Sequence, residues 1–296
     1  MLKCFQESID LERIDREPFK IRHSLLDHPA LGLQNLARAI PSLDKADVYY
    51  SSGLLKPGDD FDRAQSEHPN GLTLERTIDE IRTSDSYIMV RSPENDPSFR
   101  ELFEDLASDV RAILGRRGMS TRLHDPKLYL FIASPNSLTP FHIDRYSTFL
   151  MQFRGSKSIF VFPQWEERVV SSTDREGFVA YSGVRPVWRP ELDQLATHFR
   201  FGPGEMLHIP FLAGHYVRND PDEVSISLSI IFNTDESMRW RRALLFNHRV
   251  RPLLGRLGAT PFPVAHQTWR DRMKSGLYRS AQASMRLLRG RSPEGA

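Results

Sequence analysis

One cysteine, Cys4, stands in 296 residues. A single thiol excludes an intrachain disulfide framework and any multi-cysteine zinc or iron–sulfur site. Long apolar runs are missing as well. Nowhere do about eighteen such residues follow one another, so no membrane-spanning helix is expected. The opening segment, MLKCFQESIDLERIDREPF, is too charged for the apolar core of a signal peptide, which points to a soluble, cytoplasmic protein. Internal repeats are absent, and so are Gly/Ser- or Pro-rich linkers long enough to separate one domain from another. Neither sign of charge dominates, with 40 Lys+Arg against 38 Asp+Glu and a net charge of +2. At 40% hydrophobic and 26% charged residues the composition is globular, excluding a collagen-like, low-complexity or wholly disordered chain. A fold of this length buries roughly 75% of its unfolded surface and needs no covalent or metal staple.

The near-zero total hides a segregation. From Arg239 to Ala296 thirteen Lys/Arg stand against two acids, a charge of +11, which leaves −9 on residues 1–238. A basic tail of this kind suits contact with nucleic acid or an anionic membrane. It equally suits an amphipathic helical extension with a solvated Arg face, docked on its own body or on a second subunit. The second reading is preferred, because acidic body and basic tail neutralise each other. Met273, Leu277, Ala281, Met285 and Leu288 form an apolar stripe fit for a buried seam, flanked by Arg270, Arg272, Lys274, Arg279, Arg286 and Arg289.

Residues 1–120 read as a mainly helical region. Pro29 suits a first helical position; Leu33, Leu36, Ala37 and Ile40 then share one face, and Pro41 ends it. Leu74, Ile78 and Ile81 make a shorter stripe. Ser98 with Glu101 fits a capping box, and Phe99, Leu102, Phe103, Leu106, Val110, Ile113 and Leu114 give the strongest helical period, up to Gly115. From Lys127 the pattern turns to short strands: KLYLFIAS, STFLMQFRG, KSIFVFP, EMLHIPF and VSISLSIIF. Between Val224 and Ile230 the alternation is strict, one face apolar and the other serine, as in a barrel wall between a core and a polar cavity. The expected division is a helical region over 1–120, a barrel over 121–234 and a basic helical extension over 235–296, an α+β chain.

The segment Thr139-Pro140-Phe141-His142-Ile143-Asp144 holds a His-x-Asp. Residues two apart on a strand point the same way, so imidazole and carboxylate can share one metal ion. Alone this is weak, since ten His and 38 acids in 296 positions give about 1.3 such pairs by chance. A hairpin follows, turning at Gly155-Ser156 and returning with Lys157 at the head of an apolar strand. That lysine either projects into a cavity, where it needs an anionic partner, or reaches solvent from the hairpin end. Further on, Gly202 to Tyr216 reads as a turn, a short strand, a Pro210 bend and then His215. His142, Asp144 and His215 supply a two-His-one-carboxylate set, which leaves three positions of an octahedral iron(II) open. His208 competes as a ligand, but its place before the Pro bend marks it as a strand histidine.

These residues resemble the JmjC-type, cupin-fold oxygenases dependent on iron(II) and 2-oxoglutarate, and within them the small hydroxylases typified by the asparaginyl hydroxylase of hypoxia-inducible factor. The resemblance spans roughly residues 127–234. It rests on Thr-Pro-x-His-x-Asp, Gln-x-x-Gly-x-Lys with the lysine fifteen residues after His142, Gly-x-Gly-Glu-x-x-x-Ile-Pro, and a His five residues after that Pro. It implies a double-stranded β-helix, a cupin or jelly-roll barrel, with helical flanks. By position it makes His142, Asp144 and His215 the iron ligands and also the catalytic set. Lys157 and Thr139 would hold the distal carboxylate of 2-oxoglutarate, Thr148 and Ser229 fall at polar positions of the same site, and Tyr87 falls near a cosubstrate-binding tyrosine. O2 is the co-reactant and succinate and CO2 the products. The implied substrate is a protein or peptide side chain, with a small molecule or RNA as alternatives, and the helices after the barrel would build a homodimer. Where the group has an aromatic pair before the distal His, this chain has Ala213-Gly214, from which a space near the metal that is wider or differently lined is expected. Two other readings stand beside it: a metal-binding cupin of isomerase-like or binding type, which has no use for Lys157, and a non-catalytic scaffold acting through its basic tail.

Overall fold

The structure, a computed structural model, describes residues 2–6 and 11–289. Two antiparallel sheets face each other. The larger runs in the order β1 (Phe19–Arg22), β9 (Glu205–Ile209), β6 (Ser147–Arg154), β11 (Ser225–Asn233), β4 (His124–Ala133), β3 (Ser86–Arg91) and β2 (Val48–Ser52). The smaller runs β5 (Leu138–His142), β10 (His215–Asn219), β7 (Lys157–Val161) and β8 (Thr197–Phe201). Consecutive strands alternate between the sheets around β5 to β7, which is the double-stranded β-helix expected. Helices α1 (Leu33–Ser42), α2 (Ala64–Glu67), α3 (Leu74–Asp79) and α4 (Pro97–Arg116) precede or interrupt the sheet strands. Helix α5 (Ser172–Val179) lies between β7 and β8, and α6 (Asp235–Arg256) and α7 (Thr268–Arg289) follow β11.

The serine alternation in β11 divides the interior. Ile226, Leu228 and Ile230 turn outward into the main core with Phe99, Leu102, Leu106, Val110 and Ile113 of α4. Each of these large side chains contributes about 1.5–3 kcal/mol by leaving water. Ser225, Ser227 and Ser229 turn the other way, toward the smaller sheet, where Leu150, Ile159, Val161, Leu207, Ile209 and Val217 form a second, smaller core. The β6–β7 hairpin depends on Gly155, whose φ is +64 and whose added Cβ would sit 2.6 Å from the Val224 carbonyl oxygen. Cys4 is buried, its amide bonded to Asp109, and burial pushes its thiol up to about 12.

Four expectations need correction. Residues 1–120 are not only helical: β1, β2 and β3 lie there, and all three extend the larger sheet. The cap of α4 is Asp96, whose side chain accepts from the Ser98 amide, with Pro97 at the first helical position; it takes the role given to Ser98. In α1 the buried face is Leu36, Ala39 and Ile40, with Leu33 exposed. The stripe on α7 is not buried on the body: Met273 and Leu277 are 52% and 50% exposed, and Ala281 and Met285 are also exposed. The helix docks through Asp271, Lys274, Ser275 and Tyr278 instead. Asp271 accepts from the Ala265 amide and the Lys274 ammonium donates to the Phe262 carbonyl, so polar bonds hold it where apolar contact was expected. The side chains of Arg286, Leu288 and Arg289 lie outside the described residues.

Candidate metal centre and its cavity

His142 ends β5 and His215 begins β10, and the two are direct partners in the antiparallel register. Their ring centroids are 4.2 Å apart. Asp144 lies two residues beyond His142, with its Oδ2 3.8 Å from His215 Nε2. One ligating atom from each of the three lies within 4.8 Å of the others. A tight turn after Pro210 delivers the second histidine: Ala213 donates to the Pro210 carbonyl, and the Leu212 amide donates to the Asp144 carbonyl at 3.0 Å. Leu212 takes φ +60 there, a left-handed conformation that a leucine adopts only when its surroundings enforce it.

Both imidazoles are oriented in the same way. His142 Nδ1 is 2.7 Å from the Pro140 carbonyl and His215 Nδ1 is 3.0 Å from the Ala213 carbonyl. A carbonyl only accepts, so each Nδ1 carries the hydrogen and each Nε2 keeps its lone pair free for a metal. Burial, and then the neighbouring His142, hold the His215 imidazolium down at about 4, so this ring is neutral at ordinary pH. Phe61 stacks on the His142 ring at 4.7 Å.

The three residues open onto an inner cavity of about 110 Å³ between the sheets. All eight residues singled out from the sequence line it: Tyr87, Thr139, His142, Asp144, Thr148, Lys157, His215 and Ser229. Lys157 is only 5% exposed, and its one partner is Ser227, which accepts from Nζ at 2.6 Å. Among the described residues no carboxylate pairs with it, and burial alone pulls its ammonium down to about 7. Thr148 Oγ1 is buried without a hydrogen-bond partner. Tyr87 is in contact with the Thr139 hydroxyl, and burial raises its phenol.

His208 is not part of the cluster. Its Nδ1–H donates to the Thr148 carbonyl and its Nε2 accepts from the Asp15 amide at 3.0 Å, deep inside the larger sheet. Burial holds it down at about 3. Of the two expectations at Ala213-Gly214, a wider space or a different lining, the second describes Gly214: a Cβ there would stand 2.7 Å from the Phe141 ring, which fills that place. Among the cavity residues not singled out from the sequence, Asn219 and Phe61 stand beside Lys157 and His142. Asn219 lies directly across from Lys157 in the β10–β7 register, and its buried Oδ1 has no partner. The period of two in His215-x-Val217-x-Asn219 was the available signal. Phe61 opens a three-residue 3-10 helix, Phe61–Arg63, too short to leave a periodic signal.

A family model described as a cupin-like domain matches residues 51–238. The chain belongs to the cupin-like family. The match begins in β2, so the family's domain takes in strands ahead of the region where the sequence resemblance begins. No curated protein matches this cupin-like chain in sequence. Among solved structures it is similar to Escherichia coli ycfD, at 16% identity and a TM-score of 0.49, covering 99% of this chain and 70% of that one. A structure of YcfD, described as a ribosomal oxygenase, in complex with cobalt and 2-oxoglutarate matches at 15% identity and a TM-score of 0.47, covering 98% and 69%. An oxalate decarboxylase formate complex from Lactobacillus farciminis matches at 21% identity and a TM-score of 0.26, over 37% of this cupin-like chain and 24% of that one. At these distances the chemistry has to be argued from the protein's own residues.

Proposed function

We propose that this cupin-like protein is an iron(II)- and 2-oxoglutarate-dependent oxygenase that hydroxylates a side chain of a protein or peptide, with succinate and CO2 as co-products. Lys157 carries this reading. A buried ammonium without a carboxylate is costly, and the cost is met when an anion enters. It faces the same cavity as two histidines and an aspartate whose ligating atoms converge. A metal at one end and a dianionic keto acid reaching back to a lysine fit that donor set. A metal-binding cupin of other chemistry leaves Lys157 without a use.

In this assignment His142 Nε2, Asp144 and His215 Nε2 hold the iron, the aspartate offsetting some of its charge. Lys157 receives the distal carboxylate of 2-oxoglutarate, a charge-assisted contact worth about 1.5–3 kcal/mol. Thr139, with Tyr87 behind it, offers a second hydroxyl there. Thr148, Ser229 and the partnerless Asn219 supply further polar contacts along the cavity wall. Bound with its cosubstrate and O2, the iron would supply the oxidising power for attack on a C–H bond. Phe61, stacked on His142, shields that side of the metal site from water.

The test is direct. Full-length protein is titrated with 2-oxoglutarate in the presence of manganese, and then incubated with peptides, iron, ascorbate and 2-oxoglutarate. Metal-dependent 2-oxoglutarate binding and a +16 Da product that the Asp144→Ala variant does not make are the expected results. A protein that binds manganese but no 2-oxoglutarate would return the assignment to a cupin of another chemistry.

A further inference from the structure

Outside the inner cavity lies a recess of about 520 Å³ that shares Phe61, Met89, Tyr129, His142, Asp144 and Tyr146 with it. His142 and Asp144 line both, so the recess borders the metal site directly. Arg145, the residue after Asp144, lines the recess and not the inner cavity. Its guanidinium is fixed from three sides. Nε and one terminal nitrogen donate to the Phe178 carbonyl, at 3.0 and 2.5 Å. The guanidinium carbon is 3.6 Å from the centroid of the Phe178 ring and 3.9 Å from that of Tyr181. Tyr181 is 64% exposed and holds φ +56, a backbone conformation that costs a non-glycine residue energy. Its ring lies against Arg145.

Among the described residues the remaining terminal nitrogen of Arg145 has no hydrogen-bond partner and no carboxylate reaches ion-pair distance. The recess does contain carboxylates, but they are committed. Asp60 and Asp62 both bind Arg185, at 2.6 and 2.5 Å, and Asp59 accepts from the Lys56 amide at 2.7 Å. Arg241 of α6 is close enough to act on both Arg145 and Tyr146, which adds positive charge at this end of the recess. An immobilised guanidinium with an open donor edge and aromatic flanks is the geometry that binds a carboxylate with little loss of freedom.

We propose that Arg145 is a specificity-determining residue: it receives the carboxylate of an Asp or Glu that neighbours the target side chain in a polypeptide substrate. The proposal rests on the oxygenase reading for the identity of the site it serves. A polypeptide is favoured over RNA because Asp59, Asp60 and Asp62 around the recess repel a continuous polyanion, whereas one acidic side chain needs only the open edge of Arg145. Asp62, which is near enough to act on Arg145, is itself paired with Arg185.

A random displayed-peptide library panned against the full-length protein, loaded with manganese and 2-oxoglutarate, tests this. Enrichment of Asp and Glu at one position is expected with the wild-type protein. It should vanish with Arg145→Gln and give way to Lys and Arg with Arg145→Glu. A selected acidic peptide, labelled for fluorescence anisotropy, should bind Arg145→Gln roughly tenfold more weakly. Tyr181→Gly supplies a second variant whose backbone accepts φ +56; it should fold as well as the wild type and also bind the peptide more weakly. Absence of acidic enrichment overturns the proposal, as does acidic enrichment that persists in Arg145→Gln. Tight binding of poly(U) that Arg145→Gln abolishes, without acidic peptide selection, would overturn it in favour of nucleic acid. Titration of 2-oxoglutarate on the same preparations separates the two readings. Acidic selection without 2-oxoglutarate binding keeps this subsite and sinks the oxygenase, and the reverse result does the opposite.

Discussion

His142 and His215 sit opposite each other across β5 and β10, 73 positions apart in the chain, with ring centroids 4.2 Å apart. Each gives its Nδ1–H to the carbonyl two residues before it. Two identical local bonds therefore fix two rings whose free nitrogens meet Asp144, so the cluster is organised before any ion arrives. Replacing Asp144 by Ala removes the one anionic donor while leaving both ring-orienting bonds in place. Manganese affinity, measured by calorimetry, should fall at least about 100-fold, since losing a ligand costs more than the roughly 10- to 100-fold lost when a residue that only orients a ligand is replaced. Thermal stability of the metal-free protein should hardly move, because Asp144 is half-exposed. Unchanged manganese binding would remove the cluster from consideration as a metal site.

Lys157 makes a pH-dependent prediction. Its ammonium is held down at about 7 by burial, from an ordinary 10.5. Between these values the unfolded chain holds a proton that the folded, ligand-free protein has given up, so this residue's contribution makes stability rise with pH from about 7 to 10. The slope is at most about 1.4 kcal/mol per pH unit, and Lys157→Met should abolish it. Binding of 2-oxoglutarate runs the other way. The ammonium is needed, so affinity should be greatest below pH 7 and weaken by up to about tenfold per unit above it. In Lys157→Met it should be 10- to 150-fold weaker, by the loss of about 1.5–3 kcal/mol, and flat in this range, with manganese affinity kept. Identical pH profiles in the two proteins would show that Lys157 does not meet the anion.

Much of this site was legible because strand geometry is periodic. The serines of β11 alternate with Ile226, Leu228 and Ile230, and the Pro210 bend announces a return before His215; Asp144, two residues after His142, lies just past the end of β5, so the strand period alone does not place it. The serine and Pro210 patterns need only local backbone geometry to become positions in space. Tyr87 and Phe61 are different. Tyr87 reaches the cavity because β3 pairs with β4 in the larger sheet, and Phe61 because the short 3-10 helix that it opens packs over His142; neither pairing leaves a mark in local sequence. The strands β1 to β3 are illegible for a related reason. Phe19-Lys20-Ile21-Arg22 does alternate, but four residues among charged neighbours are too short to stand out. On α7 the periodic stripe is plain in the sequence and its partner is not, because the buried face is held by Asp271 and Lys274 through bonds to backbone groups.

Gly214 offers a steric test of the cluster's rigidity. An added Cβ would lie 2.7 and 2.8 Å from two carbons of the Phe141 ring, so one of them must move. Phe141 adjoins His142 and Gly214 adjoins His215, and any relief therefore pushes the two ligands apart. Gly214→Ala should cost about 1–3 kcal/mol of stability and weaken metal binding as well. Adding Phe141→Leu, which shortens the obstructing ring, should return most of both. Thermal melts and manganese titrations of the single and double variants measure this. A Gly214→Ala protein with wild-type affinity would show that the ring yields without moving His142.

The exposed stripe on α7 leads to the last prediction. Leu253 of α6 and Leu257, just past its end, are 60% and 75% exposed, and Trp269, Met273 and Leu277 of α7 are 62%, 52% and 50% exposed. An apolar surface spread over adjoining helices is more than a scatter of single exposed residues and marks an interaction face. The body of the protein does not cover it, because α7 is docked through its polar side. A second copy of the chain is the occupant that the sequence resemblance implies, with the two stripes packed about a two-fold axis. Such an interface uses every residue twice, so one substitution is felt twice. Loss of two buried leucine contacts at about 1.5 kcal/mol each raises the dissociation constant roughly 150-fold, and burying a glutamate in their place raises it further. Light scattering of the full-length protein should therefore give the mass of a dimer, and Leu277→Glu that of a monomer with its far-UV circular dichroism and manganese affinity unchanged. A wild-type protein that is monomeric at all accessible concentrations would exclude the symmetric pair, leaving the face for a different partner.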